Sequence, residues 1–117
     1  MANEGEVTSF LDTFKIKLRF WGVLFLDNRS KNLQALLDLE ITRLERRKII
    51  ESLVVSDYCE GPVDDEKYEE RKLWIFGKSV KGQDIYIKIT LGIENSNVIC
   101  ISFHVAEHPL NFPYKKN

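Results

Sequence analysis

The residues that could do chemistry gather in the second half of the chain. Apolar and polar side chains alternate from Lys72 to Lys78, from Asp84 to Leu91 and from Val98 to Val105, the pattern of strands that bury one face. Splitting the runs by alternation predicts a core face of Leu73, Ile75, Ile85, Ile87, Ile89, Leu91, Ile99, Ile101, Phe103 and Val105. The opposite face then carries Lys72, Trp74, Phe76, Lys78, Tyr86, Lys88, Ser102 and His104. Ammonium groups pair with phosphates, aromatic rings stack on bases and an imidazole moves protons near neutral pH, so such a face suits RNA. The same residues also fit a plainer role, since lysine and tyrosine on an outer sheet face serve solubility and cross-strand packing.

Cleaving RNA without a metal takes three things: a base for the 2′-hydroxyl proton, cations for the charge that builds on the phosphate, and an acid for the leaving 5′-oxygen. His104 is the candidate base or acid. Tyr86 can orient the 2′-hydroxyl or donate a proton, because a phenol with a free pKa near ~10 is a weak base. Lys88 completes the expected catalytic set. Lys72, Trp74, Lys78 and Lys81 form the expected RNA-binding set, with Lys78 and Lys81 as further phosphate ligands. That chemistry calls for no cofactor and no metal. His104-Val105-Ala106-Glu107-His108 does match the H-x-x-E-H pattern of one zinc hydrolase class, in which a helix brings both histidines to the metal. Here the preceding residues alternate as a strand and Pro109 follows at once, so no zinc site is expected.

These residues need a scaffold. From Val7 to Trp21 a helical period (Val7, Phe10, Leu11, Phe14, Leu18, Trp21) competes with a strand period (Phe14, Ile16, Leu18, Phe20). The reading adopted is a helix capped near Thr8 or Ser9 and ending before Gly22, then a short strand from Val23 to Leu26. Asp27-Asn28-Arg29-Ser30 signals a turn, and Leu33, Leu36 and Leu37 give a second, short helix one apolar stripe. Thr42 and Glu45 stand at capping-box spacing before a third helix from about Arg43 to Ser52, with Leu44, Ile49, Ile50 and Leu53 as its apolar residues. Val54 to Tyr58 is β-prone and should stop at Gly61-Pro62, followed by an acidic, solvated loop from Asp64 to Glu70. Ser79 to Gln83 and Gly92 to Asn97 suit hairpin connections. The tail from His108 to Asn117, with two prolines, should be extended. The order implies an α+β domain, N-terminal helices packed on a C-terminal antiparallel β-sheet.

Composition agrees with one folded domain. The chain has 117 residues, 44% apolar and 30% charged, enough for a core without disulfides or structural metal. The longest apolar run, Phe20 to Leu26, is too short to span a bilayer, and Glu4 and Glu6 do not suit a secretory signal. No membrane role and a cytoplasmic location are therefore expected. Cys59 and Cys100 lie in no metal-ligand spacing, with Cys100 expected in the core and Cys59 as a partly exposed thiol. A formal net charge of −1 withholds the overall basic field of many nucleic-acid binders, so any RNA contact must rest on a local patch.

Asp57-Tyr58, Leu73-Trp74, the run from Gly82 to Thr90 and Ile101-Ser102-Phe103-His104 together resemble the MqsR family of bacterial toxins, ribonucleases with a RelE-like fold. The sharpest part is Gly82-Gln83-Asp84-Ile85-Tyr86-Ile87-Lys88-Ile89-Thr90. The resemblance implies metal-independent, sequence-selective cleavage of mRNA and neutralisation by a cognate antitoxin, a helix-turn-helix protein encoded nearby. The family's functional tyrosine falls on Tyr86 and its functional lysine of the last strand on His104. A second lysine position falls on Glu60, and a glutamine position on Ile75. The alternative, from a different class, is a non-catalytic module that keeps the fold and binds a protein partner through a sheet edge or the aromatic face.

Overall fold

The computed structural model describes residues 1–27, 30–67 and 71–116. Parts of two expected features, the turn at 27–30 and the acidic loop at 64–70, lie outside them. In chain order the elements are α1 (Glu4–Trp21), β1 (Val23–Phe25), α2 (Ser30–Asp38), α3 (Arg43–Glu51), a single 3₁₀ turn (Val55–Asp57), β2 (Tyr58–Asp64), β3 (Lys72–Val80), β4 (Gln83–Thr90) and β5 (Val98–Val105). The strands form one five-stranded sheet in the order β1-β5-β4-β3-β2. Only β1 runs parallel to its neighbour, and β2 to β5 are antiparallel. The chain is thus α+β, helices first and sheet after. No helix among the described residues is long and apolar enough to cross a membrane.

In α1 the helical period prevails, burying Val7, Phe10, Leu11, Phe14 and Leu18, while Ile16 and Phe20 of the rival pattern face out. The helix starts earlier than expected. Asn3, not Thr8 or Ser9, is the N-cap: its side chain accepts from the Glu6 amide at 2.8 Å, and Glu6 accepts from the Asn3 amide at 3.0 Å. Thr8 lies inside the helix and bonds back to the Glu4 carbonyl. Gly22 ends α1 at φ 79°, a conformation that suits glycine.

In α2 the expected leucine stripe is rotated. Asn32, Ala35 and Leu36 are buried, whereas Leu33 and Leu37 are exposed. Asn32 fixes that phase: its amide donates to the carbonyls of Leu26 and Ile101 and accepts from the Phe103 amide. A buried amide held on three sides outweighs two leucines that water can tolerate.

For α3 the capping box of Thr42 and Glu45 forms as expected. Leu44 nevertheless faces solvent, and the buried position goes to Arg46, 1% exposed. Its guanidinium forks onto the Asp27 carboxylate at 2.8 and 3.0 Å and lies 3.6 Å from the Phe25 ring centroid. Pairing and stacking offset the desolvation of this charge.

The β2 strand does not stop at Gly61-Pro62 but runs through it to Asp64, as an edge strand can where no ladder partner needs the missing N–H. Between β3 and β4, Lys81 and Gly82 make a two-residue turn with φ 51° and 82°, the left-handed pair that matches strand twist.

Register corrects the predicted faces. Trp74 pairs with Ile89 and Phe76 with Ile87, so Lys72, Trp74, Phe76 and Lys78 belong to the side the helices cover. Trp74 stacks on Phe10 of α1 at 4.3 Å between centroids. Leu73 and Ile75 take the other side, with Lys88. The four successive apolar residues Leu73 to Phe76 allow either phase. In β5 the pairing steps from Lys88–Ser102 to Ile89–Cys100, leaving Ile101 as a bulge. Val98 and Cys100, rather than Ile99 and Ile101, therefore join the helix-side core.

The second face is not bare. After β5 the chain turns back across it, and a Cβ on Gly77 would stand 2.5 Å from Leu110 Cδ1 and 2.8 Å from Phe112 Cζ. Tyr114 then stacks on Tyr58 at 5.6 Å, its hydroxyl bonding the Ala2 carbonyl.

Candidate active-site cleft

Adjacent antiparallel strands put directly opposed residues side by side on one face. Tyr86 opposes His104, and Lys88 opposes Ser102. The Tyr86 and His104 rings stack at 5.3 Å with 17° between planes, and Lys88 Nζ lies 5.8 Å from the tyrosine ring centroid. These four residues floor a cleft of about 740 Å³. Ser30, Lys31 and Asn32 at the start of α2 form one wall, and Glu107, His108, Pro109 and Leu110 of the returning tail form the other. Both histidines of the chain thus line a single cleft.

His104 Nδ1 lies 3.0 Å from the Val105 carbonyl. A carbonyl only accepts, so Nδ1 carries the hydrogen, and in the neutral ring Nε2 holds the free lone pair. Burial pushes the Tyr86 hydroxyl above its ordinary pKa, and the charges of Glu60 and Cys59 add to the effect. It stays a proton donor at neutral pH. Ser102 is 3% exposed, and its hydroxyl sits on the cleft side with no hydrogen-bond partner among the described residues.

The walls are tied together by an ion pair. Lys31 donates to Glu107 across the mouth. That hydrogen bond and the lysine charge hold the Glu107 carboxyl below its usual range, and His104 and His108 add to the pull.

Of the expected site residues, the cleft gathers His104, Tyr86 and Lys88. It does not gather Lys72, Trp74, Lys78 or Lys81. Lys72 pairs with Asp64 at the sheet edge, and Trp74 packs against α1. Lys78 bonds Asp57 at 2.9 Å, and Lys81 donates to the Glu40 carbonyl at 3.1 Å. Three cleft residues were not expected: Lys31, Glu107 and His108. The H-x-x-E-H run was the signal for Glu107 and His108, but its helical reading fails because His104 lies within β5 and Glu107 and His108 lie in a bend; no sequence signal marked Lys31. Among the described residues no group of three or more His, Cys, Asp or Glu is arranged to hold a metal.

Glu60 opposes Ile75, and Ile75 opposes Lys88. Glu60, Ile75, Tyr86 and His104, the positions the resemblance singles out, therefore lie on four neighbouring strands, with Tyr86 and His104 lining the cleft and Glu60 and Ile75 outside its lining. Comparison with protein-family models, with curated proteins and with solved structures finds no match.

Proposed function

We infer that this chain is a metal-independent endoribonuclease that cleaves mRNA, the toxin of a toxin–antitoxin pair. The observation that carries the reading is the convergence of both histidines, a protonated tyrosine and a lysine in one cleft. Its convergence at the positions matched to the MqsR family, Tyr86 and His104, adds support. The reading places the protein in the cytoplasm, with mRNA as substrate and a helix-turn-helix antitoxin as partner.

The side chains suffice for the reaction. His104 Nε2 takes the 2′-hydroxyl proton, and the freed oxygen attacks the adjacent phosphorus. The P–O5′ bond breaks, a 2′,3′-cyclic phosphate forms, and the departing 5′-oxygen takes a proton from the His108 imidazolium. Lys88 and the Tyr86 hydroxyl stabilise the charge on the phosphate oxygens as it builds.

Incubating purified protein with mRNA and mapping the new ends tests this. The expected products carry 2′,3′-cyclic phosphate, and a 2′-deoxy residue at the cut site blocks them. Intact RNA from folded, antitoxin-free protein would end the reading.

Two observations favour the alternative, a protein-binding module without catalysis. Lys72 and Lys78 are held in ion pairs away from the cleft, and Glu60 and Ile75 lack the family's chemistry. Absence of RNA affinity at low salt would select it, because phosphate contacts are strongest there.

A further inference from the structure

The outer part of the cleft already contains an anion. Glu107 accepts from Lys31, and both imidazoles share its cleft and help to hold its carboxyl below the usual range. Lys31 and Glu107 line both the main cleft and the adjoining groove along α2, with His104 common to the two. Ser102 lies on the floor below, its hydroxyl without a hydrogen-bond partner among the described residues. A lysine, two imidazoles and a hydroxyl that line one cleft are groups a phosphate could use. In the free protein the carboxylate of the tail holds the lysine.

We propose that Glu107 is an internal stand-in for substrate, and that an RNA phosphodiester next to the scissile one displaces it and takes over Lys31. The inference rests on the ribonuclease reading and adds a second phosphate subsite and a built-in competitor to it. The pair is exposed on both sides, with side chains 63% and 54% accessible, so solvent weakens it and an incoming phosphate can break it. Glu107 follows β5 on the tail, whose Ala106 amide is held by the Asp84 carbonyl at 2.9 Å. The carboxylate can swing away without disturbing the sheet.

The test is binding of a short single-stranded deoxy-oligonucleotide, which cannot be cleaved by 2′-hydroxyl attack, at low salt by fluorescence anisotropy. Glu107→Gln should tighten binding about fivefold, the scale of one exposed charge pair. Lys31→Ala in that background should remove the gain. Glu94→Gln, a carboxylate in the β4–β5 loop, controls for the change in net charge and should leave affinity unchanged. Unchanged or weaker binding by Glu107→Gln, an equal gain from Glu94→Gln, or no binding by any variant overturns the proposal. Circular dichroism verifies that each variant is folded. The two readings separate cleanly: if Glu107→Gln tightens binding but ribo-oligonucleotides stay intact, only the ribonuclease reading falls. If RNA is cut but Glu107→Gln has no effect, only the displaced carboxylate falls.

Discussion

Tyr86 and His104 face each other across β4 and β5 with their rings 5.3 Å apart and nearly parallel. Stacking fixes the imidazole plane while the Nδ1 bond to the Val105 carbonyl fixes its tautomer. His104→Ala should lower RNA cleavage by about 10²-fold or more. Tyr86→Phe, which keeps the stack and deletes only the hydroxyl, should cost about as much through lost charge stabilisation. Rates compared beside circular dichroism spectra check both. Full activity in both variants would move the chemistry to another surface.

His108 is assigned the role of acid, so His108→Ala should slow cleavage of ordinary RNA far more than that of a substrate whose leaving oxygen needs no proton. A synthetic substrate with a nitrophenol leaving group supplies the comparison. Equal loss on both substrates would refute the assignment.

Arg46 is a buried cation whose only carboxylate partner among the described residues is Asp27. Arg46→Ala removes the fork and the stack on Phe25, and should cost about 3 kcal/mol, the lower end for a broken buried pair. The lower end applies because Asp27, 27% exposed at its side chain, can turn to water. Urea unfolding measures it, and a loss below about 1 kcal/mol would mean the pair contributes little.

A methyl group on Gly77 would meet Leu110 and Phe112. Gly77→Ala should therefore lift the tail from the sheet, at about 1 kcal/mol. Chymotrypsin should cut after Leu110 or Tyr114 sooner than in the wild type, and an unchanged digestion rate would argue against close seating.

Burial pushes both thiols, Cys59 and Cys100, from an ordinary 9.0 up to about 12. Near pH 8 a thiol reagent should attack them about 10²-fold more slowly than a free cysteine, and at the normal rate once the protein is unfolded. The raised values also set a pH trend. The folded state holds these protons more tightly than the unfolded one, so the stability they supply is complete below pH 9 and is lost as pH rises towards 12. Tyr58 and Tyr86, also raised chiefly by burial, act in the same direction. A melting temperature that rises over that range would contradict this.

Much of the scaffold was legible because local signals were strong. Thr42 and Glu45 marked the start of α3, and strict alternation in β4 put Tyr86 and Lys88 on one face. The failures have physical causes. Leu73 to Phe76 is apolar throughout, so its phase is set by Phe10 stacking on Trp74, a contact made across the fold. In α2 a polar residue, Asn32, chose the buried side through bonds to distant strands. Lys31 and His108 line one cleft only because the chain doubles back after β5, which no spacing within a single element reveals.

The bulge in β5 leaves Ile101 outside the ladder, where its carbonyl accepts from Asn32. The ladder closes on either side without it, so a strand shortened by that residue alone could keep Cys100 against Ile89 and Phe103 against Ile87. What such a deletion forfeits is one of the bonds that hold Asn32, together with the local coiling a bulge imparts, which sets the angle at which Ser102 and His104 are presented. Homologues that differ in length at this point would share one interior and aim their imidazoles differently.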